Sequence, residues 1–275
     1  MNLTCFTSLT WAYQLHYYLG FRTHRRRQRF LSKESLLEEL IAEISERHGY
    51  HLLGCQPHPD QLRTLVSLRP NQAVAKVIQT IKTNSSREWN LRFQLTPPLW
   101  ARGYLARSVG QVRINAVRQY LEQQSAHHGY EARLLPPVFK YRTSKPSCLV
   151  ASHAVFDLNH HLVLATCQRK GIFNSVVGKA LSDYWLRVAA ARGFAIDQIS
   201  VVPDHTHLIV RLVPSMSIEE CTLLLMNNSQ HFIGRTYPQL LIEAGINQLW
   251  QPSAYAGTCG EYTTGLLQKW LNSPE

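Results

Sequence analysis

A chain of 275 residues, 45% of them hydrophobic, can bury one large core or two ordinary ones, which excludes a disordered polymer. Six scattered cysteines without a CxxC pair argue against a disulfide framework or zinc knuckle, and no apolar run approaches the roughly 18 residues of a membrane span. The net charge of +11 is uneven: residues 1–150 hold 21 Lys/Arg against 9 Asp/Glu (+12), and residues 151–275 hold 8 against 9 (−1).

No secretory signal opens the sequence, so a soluble, unexported, cytoplasmic protein with reduced thiols is expected. A basic half points to phosphate, and to nucleic acid before membrane. The densest run, "RTHRRRQR", makes Arg22, Arg25, Arg26, Arg27 and Arg29 candidate DNA contacts.

In chain order, "LHYYLGFRTHRRRQRF" (15–30) reads as an apolar strand entering a basic turn. "LLEELIAEISERHGY" then carries a helical pattern that stops at Gly49. A strand over 56–70 with Pro59–Asp60, a helix over 73–89, and a tryptophan–strand–glycine-turn–helix series over 99–124 complete the first half. "YEARLLPPVFKYRTSKPSCLV", with its prolines, reads as a linker, here given the bounds 131–150.

The series then repeats. Residues 158–173 align without gaps on 15–30; "ALSDYWLRVAAARGF" matches the first helix; Pro203–Asp204 falls on Pro59–Asp60; and 249–274 falls on 99–124. Each copy reads as β-α-β-α-β-α. The expected fold is therefore α+β, two tandem units at 1–130 and 151–275, each an antiparallel sheet with helices on one face.

The copies differ where chemistry is expected. "VVPDHTHLIVRL" puts His205 and His207 two apart, on one face of a strand, where both imidazoles can share a divalent ion. The matching residues of the first copy are Gln61 and Arg63. Conversely, the first copy's last helix sets Tyr120 and Gln124 four apart on one face, against Trp270 and Pro274 in the second. Each copy keeps a different half of a site. Lys82 and Arg87 lie opposite Met226 and His231, which adds them to the candidate DNA contacts. Tyr17, Tyr18 and Trp89 are candidate base-stacking platforms, with core packing the stronger expectation for each. Asp204 suits either a turn or the orienting of an imidazole, and His160 and His161 point to opposite faces of an early strand.

The combination of PDHxH, a later tryptophan, an S-V-G turn and a Y-L-E-x-Q helix resembles the single-tyrosine HUH transposases of small insertion sequences (the IS-two-hundred type), to which REP-associated tyrosine transposases are related. That resemblance implies ferredoxin-like units and metal-dependent cleavage and rejoining of single-stranded DNA through a 5′-phosphotyrosine. It implies Tyr120 as nucleophile, His205, His207 and Gln124 as ligands of Mg²⁺ or Mn²⁺, and hairpin ends of a mobile element as partner. Sites in such enzymes are commonly shared between subunits, so one chain is expected to act as a monomeric pseudo-dimer with one live composite centre. The alternative is a silent, domesticated protein that binds a DNA or RNA hairpin.

Overall fold

In the computed structural model, residues 4–123 and 137–271 are described. The first half contains β1 (Thr10–Gln14), β2 (His16–Arg22), α1 (Glu34–Arg47), β3 (His51–His58), β4 (Gln61–Ser67), α2 (Val74–Phe93), β5 (Tyr104–Val109) and α3 (Ile114–Gln123). The remainder contains β6 (Phe139–Arg142), β7 (Ala154–Asp157), β8 (Asn159–Thr166), α4 (Ser175–Arg192), β9 (Ala195–Val202) and β10 (His205–Arg211). It closes with α5 (Ile218–Thr236), α6 (Pro238–Glu243), β11 (Trp250–Cys259) and α7 (Thr264–Leu271). As expected, the class is α+β with two sheets, ordered β3-β4-β2-β5-β7 and β1-β11-β8-β10-β9-β6.

Four features differ from the sequence expectation. Each Pro–Asp pair turns a hairpin rather than sitting within one strand, so β10 begins at His205. The partner strand β3 is hard to read because it holds Pro57, which is tolerated where β3 forms the sheet edge. Residues 131–150 include β6, which pairs antiparallel with β9 of the second sheet.

The third difference is that neither sheet is purely antiparallel: β1 adds parallel to β11, and β7 adds parallel to β5. Each half thus sends its first strand to the other half's sheet and returns through a buried leucine, Leu15 or Leu158. Those leucine carbonyls accept from Leu68 N (2.9 Å) and Leu212 N (3.0 Å), so the two crossings are built alike.

Helix spacing explains the layers. Leu37, Ile41 and Ile44 bury one stripe of α1, and Val77, Ile78, Ile81, Ser85 and Trp89 one stripe of α2. In the second half, Asn174 and Ser217 cap α4 and α5 by accepting from Val177 N and Glu220 N, and Gly193, at φ +75°, ends α4 in the left-handed region. These four helices cover one face of the sheets and share a continuous core, which holds Tyr17 and Trp89 in its interior rather than on a surface. Helices also occupy the second face, contrary to expectation. There α3 lies on the second sheet through Ile114, Val117, Leu121, Ile209 and Cys259, while α7 lies on the first through Leu267, Leu271, Leu65 and Val109. No helix among the described residues is long and apolar enough to cross a membrane.

Inside the core, His160 Nε2 meets the Tyr17 hydroxyl at 2.8 Å, and burial pushes its imidazole down to about 3. The unfolded chain binds a proton near pH 6.5 that the folded chain refuses until about pH 3, so stability falls as the pH drops through that window. The expected slope is about 1.4 kcal/mol per pH unit for this one proton. Urea titrations between pH 7 and 5 measure it, and His160→Gln is expected to flatten it.

Candidate functional site

The site begins at a junction of two turns. Thr166 N and Oγ1 both donate to the Asp204 carbonyl (2.9 Å each), and Oγ1 also donates to Lys170 O (2.7 Å). Phe173 N donates to Pro203 O at 3.0 Å. These bonds hold the 167–169 turn, with Gln168 and Arg169 at φ of 54° and 55°, against Pro203–Asp204. The result is an ion pair from Arg169 Nε to Asp204 Oδ2 (2.9 Å), while Asp204 Oδ1 receives His205 Nδ1 at 2.6 Å.

From Asp204 the chain enters β10, and period-two geometry puts His205, His207 and Ile209 on the face that α3 covers. The His205 and His207 rings are 4.9 Å apart between centroids. His207, 7% exposed, meets His161 Nε2 through its Nδ1 at 3.1 Å, the two rings stacked at 5.3 Å. Burial pushes His161 down to about 4, so it is neutral at pH 7. Because the Asp204 carboxylate only accepts, His205 Nδ1 is the donor, which leaves Nε2 as the nitrogen to offer a metal.

The tyrosine arrives from the other half of the chain. Ile114, Val117 and Leu121 seat α3 on Ile209 and Cys259 and turn Tyr120 toward the histidines. Its ring stands edge-on to His207 at 6.0 Å, and at 37% exposed it is open to a large substrate. Polar contacts fix the same seat. Arg118 pairs with Asp197 (3.4 Å), which also accepts from Arg211 Nε at 2.9 and 3.0 Å. Lys140 Nζ donates to Glu122 O (2.7 Å), and Arg142 pairs with the Glu122 carboxylate, so β6 grips the tyrosine helix.

Asp197 is 4% exposed and serves two guanidinium groups. Asp197→Asn leaves them without a counter-charge and is expected to lower unfolding free energy by about 2–3 kcal/mol, read by urea titration. Loosening of α3 should appear as faster amide exchange along that helix.

Gln124 lies outside the described residues. Among those described, no group of three or more His, Cys, Asp or Glu could hold a metal ion, so the two imidazoles need a further ligand of another type. An amide oxygen on the tyrosine helix is of that type.

The candidate DNA residues are not gathered at the histidines. Arg22, Arg25, Arg26 and Arg27 are exposed and Arg29 is half-buried, on a turn joined to Pro59–Asp60 by Thr23 N to Asp60 O (2.8 Å) and Phe30 N to Pro59 O (3.1 Å). Arg87 is exposed beside a cleft of about 870 Å³ that Trp100 and Arg102 also line. Lys82 is committed otherwise: its Nζ donates to the carbonyls of Ala101 (2.5 Å), Arg102 and Gly103 (both 3.2 Å), and burial lowers it to about 8. A phosphate contact from Lys82 requires breaking those bonds.

His161 and Arg169 belong to this cluster; the sequence offers His160 and His161 on opposite faces without saying which approaches, and gives no signal for Arg169. The motif shows which strand face each side chain takes, but the β8–β10 register, with His161 opposite Ile209 and Val163 opposite His207, is what sets His161 diagonally against His207.

A family model described as "Transposase IS200 like" matches residues 11–124 and again 154–273. A curated relative, the ISDra2 transposase TnpA of Deinococcus radiodurans, is 29% identical over 119 residues, covering 43% of this chain and 85% of its own. Among solved structures, a candidate transposase from Deinococcus radiodurans is similar at 24% identity and a TM-score of 0.35, covering 41% of this chain and 92% of its own. A REP-associated tyrosine transposase bound to a REP hairpin is similar at 11% identity and a TM-score of 0.30, covering 47% and 74%.

Proposed function

The chain belongs to the family of IS200-like transposases, and from that premise we propose that it cuts and rejoins single-stranded DNA at one composite centre, through a covalent 5′-phosphotyrosine on Tyr120. The observation that carries this reading is the meeting of two half-sites: Tyr120 of the first half stands 6.0 Å from His207 of the second. Where the first half has Gln61 and Arg63 in place of the histidines, the corresponding centre lacks the same chemistry.

His205 and His207, joined by Gln124, are the residues to hold Mg²⁺ or Mn²⁺; the chemistry such an ion supplies is neutralisation of charge on the scissile phosphate. The protein's own groups do the rest. Asp204, itself held by Arg169, fixes the His205 ring, and His161 fixes that of His207. The seat of α3 aims the Tyr120 hydroxyl at the same space, which replaces a bimolecular encounter with a positioned one. The phenolic oxygen attacks phosphorus, the P–O3′ bond breaks, and the phenolic proton passes to the departing 3′-hydroxyl or to solvent. The phosphotyrosine keeps the bond energy, so a 3′-hydroxyl can reverse the step without ATP. Both halves reside in one chain, which then works as a monomer.

Incubation with single-stranded hairpin oligonucleotides and Mg²⁺ or Mn²⁺ tests the reading. A covalent protein–DNA adduct on Tyr120, with a free 3′-hydroxyl on the released strand, is expected. No adduct over a broad hairpin panel, with binding retained, favours the silent hairpin-binding alternative.

A further inference from the structure

The centre that lacks the histidines has not filled in. Around Gln61 and Arg63 lies a pocket of about 540 Å³, lined also by Tyr18, Arg22 and Tyr104, with Gly20 on its wall. Among the described residues, no carboxylate lines it. Its residues replace the live centre position by position: Tyr18 stands where the second half has His161, Arg63 where it has His207, Leu105 where it has Tyr255, and Gly20 where it has Val163. The side chains of Arg63 and Arg107 act on the half-buried Tyr18 from either side, and Arg107 also approaches Glu261 at 4.0 Å.

Part of the basic half of the chain lies here. Arg22 closes β2 at the pocket rim, and the 24–27 arginine turn is bonded to the Pro59–Asp60 turn that leads into Gln61. The corresponding rim of the live centre carries Arg169, which is spent on Asp204. Loss of catalysis alone gives no reason for a tyrosine and two arginines to line one open pocket with no carboxylate among its described lining residues.

We propose that this pocket is a non-cleaving clamp for one nucleotide of the single-stranded DNA handled at the live centre, an inference that rests on the single-strand reading above. Arg22 and Arg63 meet the backbone phosphate, Tyr18 stacks on the base, and the Gln61 amide hydrogen-bonds to the base edge. A strand engaged at both places is held at two points, though only one of them can be cut.

Two measurements test it. In a Tyr120→Phe background, the affinity for single-stranded oligonucleotides is measured against salt, with Arg22→Ala/Arg63→Ala added and Arg192→Ala as control. The double substitution is expected to weaken binding about tenfold or more and to reduce the salt slope by roughly 0.7, the value for one phosphate on a single strand. The control should do neither. Separately, an oligonucleotide carrying 5-iodouracil is photocrosslinked to the unsubstituted chain, and the adduct is expected on Tyr18. An unchanged salt slope, or crosslinks confined to the live centre, overturns the clamp while leaving cleavage at Tyr120 intact. An unsubstituted chain that neither binds nor cuts single strands overturns both.

Discussion

Tyr120→Phe is expected to remove the covalent adduct altogether, a loss of at least about a thousandfold, because its hydroxyl is the nucleophile of the proposed step and its ring stands against His207. The substitution deletes one hydroxyl on a 37% exposed ring, so folding should be unchanged within about 0.5 kcal/mol. Binding of single-stranded DNA should persist, which separates this variant from an unfolded one. His205→Ala is expected to reach the same floor by another route, since it removes one of two imidazoles and leaves Asp204 to Arg169 alone. Groups that act as a unit are not additive, so the double variant should be no worse than either single one. Gel assays of adduct yield measure all three. A mixture of the two single variants should stay inactive, because each chain carries both half-sites of its own centre. Recovered activity in the mixture would show that the centre forms between chains.

Gly260→Ala is expected to cost about 3 kcal/mol or more, read as a shift in the urea midpoint. A Cβ at Gly260 would sit 2.2 Å from Ser108 O, and one at Gly110 would sit 2.5 Å from Thr258 O. These are backbone atoms of the other half, at the point where the ends of β5 and β11 cross. Ser108 Oγ donates to Cys259 O (2.7 Å) and Thr258 Oγ1 to Val109 O (2.6 Å), which locks the crossing. Ile114 N donates to Gly260 O at 2.9 Å, so a backbone shift there moves the first turn of α3 and with it Tyr120. Adduct formation should therefore fall along with stability. Gly265→Ala is the control: a Cβ there would meet no described atom within 4 Å and the residue is within α7, so a neutral or slightly stabilising change is expected.

Both effects trace to features that differ in how far the sequence discloses them. The duplication, the same-face placement of His205 and His207, and the amphipathic stripe of Ile114, Val117 and Leu121 are local periodicities, and periodicity survives in one dimension. The charge imbalance is likewise a matter of counting. The glycines at 110 and 260 read only as turn residues, whereas the structure gives them another cause, the contact of two strands about 150 residues apart in the chain.

Residue identity alone sets which site side chains each half retains: His205 and His207 opposite Gln61 and Arg63, and Tyr120 opposite Trp270. Which sheet α3 lies on was a matter for tertiary structure, because an apolar stripe specifies burial but not its partner, and Ile209 and Leu65 are equally apolar receivers. The same holds for His161, which depends on strand register, and for Lys82, whose charge reads as a DNA contact until the carbonyls of 101–103 are seen to take its three protons. Residue type sets what a group can do, and only the packing of distant segments sets what it meets.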